Sequence, residues 1–81
     1  MNVNVRLFAA ARQLANTEMI CLSVERSATI NEVKQALIQR YPALEPLLKQ
    51  TRFAVDSKYV PDETPVEDGQ EIACIPPVSG G

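Results

Sequence analysis

A single stretch of this chain carries a complete helix signature, and it limits what the rest can form. Thr29-Ile30-Asn31-Glu32 has the form of a capping box, in which the threonine oxygen accepts a backbone N–H and Glu32 reaches back to Thr29. From there Ile30, Val33, Leu37, Ile38 and Tyr41 recur at helical spacing and make an apolar stripe. Lys34, Gln35, Gln39 and Arg40 are expected to face water. Pro42 ends the run, because the residue before a proline avoids the helical region. A chain of 81 residues makes one domain, and its helix must bury that stripe against something else.

The something else reads as a sheet. In residues 3–8, Val3, Val5 and Leu7 fall on one face and Asn4, Arg6 and Phe8 on the other, so a bulky apolar group stands where solvent is expected. Residues 9–15 favour a short helix exposing Arg12, and Asn16-Thr17 suits a turn. Residues 19–24 alternate again with Ile20, Leu22 and Val24 inward, as a hairpin partner for the first strand. The connector 42–50 holds Leu44, Leu47 and Leu48 and predicts one helical turn capping the core. Residues 53–56 and 58–60 read as two short strands around a tight turn, 61–65 as a polar loop, Asp68-Gly69 as a turn and 71–75 as the last strand. Strands around one covering helix make an α+β roll with a mixed sheet.

Composition removes several functions. Hydrophobic residues at 46% suffice for one core, and a net charge of −2 without any Lys/Arg run argues against nucleic acid as the main partner. There is neither an 18-residue apolar run nor a charged-then-apolar leader, so the expected location is cytoplasmic. Cys21 and Cys74 are the only thiols and read as reduced core residues. With no histidine, neither a conventional zinc site nor a Ser-His-Asp or Cys-His set can be assembled. Asp62-Glu63 and Glu67, Asp68 and Glu71 read as solvated turn charges.

The one group placed for chemistry is the carboxylate of Gly81. The chain closes on Ile75-Pro76-Pro77-Val78-Ser79-Gly80-Gly81. The two prolines fix φ and cannot continue a sheet ladder, which makes a stiff extended stem. Glycines leave the terminal acid on a backbone thin enough to thread a narrow channel. Six extended residues would project about 20 Å. The expected division is therefore a domain over residues 1–75 and a protruding tail over 76–81, the alternative being a frayed terminus. A carboxylate is a poor electrophile at neutral pH, so it must be activated, and acyl-adenylation by another protein supplying ATP and magnesium is the usual route. Such a chain is a carrier or modifier and not an enzyme by itself.

These residues resemble a family. Leu7-Phe8-Ala9 leading to Arg12, the Thr29-centred helix start, Phe53-Ala54-Val55 with Tyr59-Val60, and above all Asp68-Gly69-Gln70-Glu71-Ile72 followed by the Pro-Pro-Val-Ser-Gly-Gly ending are similar to the small, sulphur-carrying subunits of molybdopterin synthase. The resemblance spans essentially the whole chain and implies a ubiquitin-like β-grasp fold. It implies that an adenylating partner of the ubiquitin-activating type converts Gly81 to an acyl-adenylate, and that a sulphur donor protein replaces AMP to leave a thiocarboxylate. The tail, Gly80 included, would then enter the large synthase subunit, in a heterotetramer, and give its sulphur to cyclic pyranopterin monophosphate. No cofactor would be held by this chain; ATP and Mg belong to the activating partner. Partner contacts are implied for Phe8, Arg12, Tyr59, Ile75, Pro76, Pro77, Val78 and Ser79, with ordinary core packing the alternative for Tyr59 and Ile75. Two positions depart from the common pattern: Asn16 stands where glycine is frequent, and Asp56 where asparagine is. Other readings are the sulphur carrier of thiamine thiazole synthesis, a ubiquitin-like modifier joined through Gly81 to a lysine, and a plain interaction module with an inert tail.

Overall fold

The computed structural model describes residues 1–77. The elements are β1 (Asn2–Leu7), α1 (Ala9–Ala15), β2 (Met19–Ser23), α2 (Ile30–Arg40), a 3-10 turn (Pro42–Leu44), α3 (Glu45–Leu48), β3 (Arg52–Val55), β4 (Lys58–Val60) and β5 (Glu71–Ile75). Five strands form one sheet in the order β2-β1-β5-β3-β4. The central pair β1·β5 is parallel and the other pairs are antiparallel, so the sheet is mixed. It wraps α2 on one face, which is the β-grasp roll.

Local chemistry accounts for the elements. Glu32 Oε1 accepts the Thr29 N–H at 3.3 Å and starts α2, as the capping box requires. Ile30, Val33 and Leu37 are fully buried along its inner stripe. Tyr41 leaves the helical region at φ −133°, ψ 80°, as expected before Pro42. Asn16 closes α1 with φ 57°, ψ 36°, a left-handed geometry that asparagine accepts better than most residues other than glycine. Asp56 and Ser57 both have positive φ (52° and 66°) and make the tight turn between β3 and β4. Aspartate at the first of these positions suits such a turn, as asparagine does.

The inner face of the sheet is closed. Val3, Val5 and Leu7 of β1, Ile20 and Leu22 of β2, Phe53 of β3 and Ile72 and Cys74 of β5 pack with α2 and with Leu44 and Leu48. Thr51, the buried polar residue, donates its hydroxyl to the Leu47 carbonyl at 2.8 Å and so carries no unmet hydrogen bond inside.

The structure corrects several expectations. Lys34 does not face water: its side chain is 16% exposed, pairs with Asp62 at 2.9 Å and lies over the Phe53 ring at 5.7 Å. The loop from 61 to 65 folds back on the start of α2, where Thr29 bridges Pro65, and carries Asp62 to that lysine. Asp62, Asp68 and Glu71 are therefore not merely solvated. Asp68 accepts the Asn2 N–H at 2.8 Å and anchors the edge of β1, while Glu71 pairs with Arg6. Cys21 is not a core residue. It sits at an odd position of β2 whose side chain faces away from α2, and it is exposed. The third strand starts one residue early at Arg52 and gives Asp56 to the turn, and Val24 lies past the end of β2, half-buried.

Candidate functional site

The last strand points the chain at one end of the sheet's outer face. Beyond Glu71 the period-two alternation continues past the ladder: Ile72, Cys74 and Pro76 are buried, Ala73 and Ile75 are half-buried, and Pro77 is exposed. Pro76, expected in the projecting stem, is thus part of the packed domain, because it falls in register with the inward residues of β5. Pro77 is the first residue of the tail to stand free. Val78, Ser79, Gly80 and Gly81 lie outside the described residues.

Pairing register assembles what surrounds that exit. Arg6 lies beside Ala73, Ala73 beside Ala54, and Ala54 beside Tyr59, which makes one row across four strands of the outer face. In the next row Ile75 lies beside Arg52, and the Phe8 N–H donates to the Cys74 carbonyl at 3.3 Å, extending the β1·β5 ladder by one bond. Small alanines form a floor, and larger side chains stand around it. A shallow concavity results, lined among others by Arg6, Phe8, Ala54, Tyr59, Ala73 and Ile75. Phe8 is 41% exposed and Tyr59 53% exposed, large for apolar groups that could have been buried.

The backbone holds Phe8 outward. Phe8 itself is extended at φ −122°, ψ 157°, and Ala9 follows with φ 50°. A left-handed alanine is uncommon and costs about 1 kcal/mol or more, a strain found more often near functional surfaces than in plain turns. It turns the chain sharply from β1 into α1, so that Leu7 is buried and Phe8 is not.

Two arginines flank the concavity. Arg6 makes an ion pair with Glu71 (Nε to Oε2 3.3 Å, Nη2 to Oε1 3.4 Å). The Arg52 guanidinium lies 3.9 Å from the Tyr59 ring centroid and fixes that ring at the rim. Neither residue stood out in the sequence, although alternation along β1 and β3 places both on the outer face. Arg12, by contrast, is not brought to this place. It projects from α1, pairs with Glu18 at 3.5 Å with both side chains over 60% exposed, and lines a separate depression with Ala9, Gln13, Asn16 and Thr17. Phe8, Tyr59 and Ile75 thus gather at the root of the tail, and Arg12 stands apart.

Asp56, Ser57 and Glu71 also line the concavity, and Glu71 is held there by Arg6. The buried thiol of Cys74, on the opposite face, is pushed up to about 12 by burial, with Lys34 pulling modestly the other way. It is a protonated packing group, not a nucleophile. Among the described residues no cluster of His, Cys, Asp or Glu could hold a metal ion, and no helix is long and apolar enough to cross a membrane.

Residues 5–81 match the ThiS family along nearly the whole chain. The chain belongs to that family. A relative from Chlamydomonas reinhardtii, named molybdopterin synthase sulfur carrier subunit, is 32% identical over 83 residues, which is 100% of each chain. Among solved structures, SAMP1 of Haloferax volcanii, a small archaeal modifier protein, superposes with a TM-score of 0.92 at 25% identity over 100% of both chains. A complex of subunits 1 and 2 of the molybdopterin-converting factor from Helicobacter pylori contains a chain that matches with a TM-score of 0.71 at 27% identity, again over 100% of both. The ThiS-family chain thus resembles small synthase subunits in sequence and ubiquitin-like carriers and modifiers in fold.

Proposed function

We propose that this ThiS-family protein is the sulphur-carrier subunit of a molybdopterin synthase. The observation that carries the reading is the full-length similarity to sulfur carrier subunits, in a chain whose own terminus is Val78-Ser79-Gly80-Gly81. Gly81 is the reacting residue. Its carboxylate attacks the α-phosphorus of ATP on an adenylating partner, releasing pyrophosphate. A sulphur donor protein then displaces AMP and leaves a terminal thiocarboxylate. In the synthase that sulphur passes to cyclic pyranopterin monophosphate and the carboxylate is regenerated with oxygen from water. A dithiolene takes two sulphurs, so two charged carriers are consumed per pterin.

The domain's part is presentation. Pro77 stands exposed at the end of the packed domain, and Phe8, Tyr59 and Ile75 give the large subunit an apolar anchor beside it. Arg12, which stands on α1 apart from that anchor, is left to pair with a partner acid in place of Glu18. The large subunit holds the pterin and the catalytic groups, ATP and Mg stay with the adenylating enzyme, and the work is cytoplasmic.

A second reading has an observation of its own: the likeness to an archaeal modifier protein, in which case Gly81 would end in an amide with a lysine. Intact mass of the chain isolated from its own cells separates them. A carrier shows a fraction heavier by one oxygen-to-sulphur exchange, and a modifier shows high-mass conjugates. A carrier of thiamine thiazole synthesis would carry sulphur too, but would co-purify with that synthase and not with a pterin-binding subunit. Gly81→Ala, or one residue added after Gly81, abolishes sulphur transfer and leaves thermal stability unchanged. Full activity of an extended chain shown to be unclipped would refute the proposal.

A further inference from the structure

β2 is the longer of the two open edges of the sheet, with five residues against three in β4. Its backbone orientation follows from the bonds at its two ends. The Leu7 N–H donates to the Glu18 carbonyl at 2.9 Å and the Val24 N–H to the Met1 carbonyl at 2.8 Å. In an antiparallel ladder the bonded positions alternate, so Ile20 and Leu22 also bond inward to β1. The N–H and C=O groups of Met19, Cys21 and Ser23 therefore point to the open side. One of them is already taken. Arg40, at the end of α2, donates from Nη1 to the Cys21 carbonyl at 3.1 Å, and its guanidinium lies 5.9 Å from the Tyr41 ring. Among the described residues Arg40 belongs to no ion pair.

We infer that β2 is a strand-pairing edge for a second copy of this chain, and that Arg40 is the guard that keeps it shut. The register argues for a second copy. Two β2 strands laid antiparallel about Cys21 set Cys21 against its own copy and Met19 against Ser23, so every outward N–H and C=O meets a partner. Glu18 then falls opposite Val24 and Glu25 opposite Thr17, and no like charges face each other. The central bonds of that ladder require the Cys21 carbonyl as acceptor, which is the group Arg40 occupies. Met19, 37% exposed, and the exposed Cys21 add side-chain contact on the outer face. Open edges that are not covered or charged invite such pairing, and a single long cation laid along the edge is an economical defence.

The test is Arg40→Ala in the full chain. Arg40 is exposed, so the core is untouched; Arg40→Met, which keeps the stem and loses the donors, replaces it if alanine perturbs α2. Self-association is followed by sedimentation over a concentration series, and contact by cross-linking with a short bis-maleimide, to which buried Cys74 is silent. Expected results are a rise in the association constant of about tenfold or more, cross-linking at Cys21, and return to monomer when Ser23→Pro removes one outward N–H. A folded Arg40 variant as monomeric as the parent would overturn the inference, as would a dimer indifferent to Ser23→Pro. So would a variant that remains monomeric but takes up a strand of another protein.

Discussion

The two faces of the sheet come from the same strands but end differently. On the inner face Val3, Val5, Leu7, Ile72, Cys74 and Phe53 are at most 2% exposed, because α2 and the 42–48 segment cover them. On the outer face no element among the described residues lies over the strands. Away from the tail that face is dressed as a wet surface should be, with Asn2, Asn4 and Ser23. At the tail end it is not, and Phe8, Ile75 and Tyr59 stand around an alanine floor. The same strands therefore differ by face: one holds the fold, and one end of the other leaves large side chains, Phe8 and Tyr59, exposed.

The sharpest way to break that contrast is to treat both faces alike. Ile72→Ala, on the inner face, should destabilise the domain by about 2–5 kcal/mol in urea unfolding. Phe8→Asp, on the outer face, should stay within about 0.5 kcal/mol of the parent. Equal losses would mean that Phe8 is a core residue after all. Binding then reads the contrast from the other side. Phe8→Asp or Ile75→Asp should weaken the complex with the large subunit by more than about tenfold in titration calorimetry, while a variant of Asn4 at the polar end of the same face should change it little.

The two thiols give a smaller effect with a clear sign. Cys21 should react with a maleimide in the native protein, and Cys74 only as fast as the domain opens. Once unfolding exposes it, the Cys74 thiol titrates near its ordinary value of 9.0, whereas in the folded domain it is held up to about 12. Well below the lower of these neither state loses this proton, and the thiol adds no pH dependence. Between them the unfolded state alone ionises, so stability falls as pH rises. Cys74→Ala should remove that part of the alkaline slope. A stability difference between the two proteins that stays constant from about pH 8 to about pH 10.5 would contradict the assignment. Smallest of all, Lys34→Met should cost less than about 1 kcal/mol, because the ion pair it loses is half open to solvent at Asp62 and the stem still packs on Phe53. A larger loss would place Lys34 with the inner face.

Much of this could be read before any fold was known, for a physical reason. Where a residue's role depends on neighbours a few positions away, the order of residues is enough. The capping box at Thr29, the stop at Pro42, the turn at Asn16 and the alternation of β1 and β2 are all of that kind. Phe8 drew notice because it broke such an alternation.

Register and cover are another matter, since both wait on how the strands pair and what packs over them. Reading Cys21 as a core thiol goes against the alternation of its own strand, which already sets Ile20 and Leu22 inward, and the paired sheet shows it exposed. Lys34 looked solvated until the 61–65 loop brought Asp62 across α2. Pro76 looked like stem until its place in the β5 alternation put it inside. The gathering of Phe8, Tyr59 and Ile75 and the hold of Arg40 on the Cys21 carbonyl join residues from separate elements, far apart along the chain. No local pattern encodes a meeting of that kind; it exists only once the strands have chosen their partners.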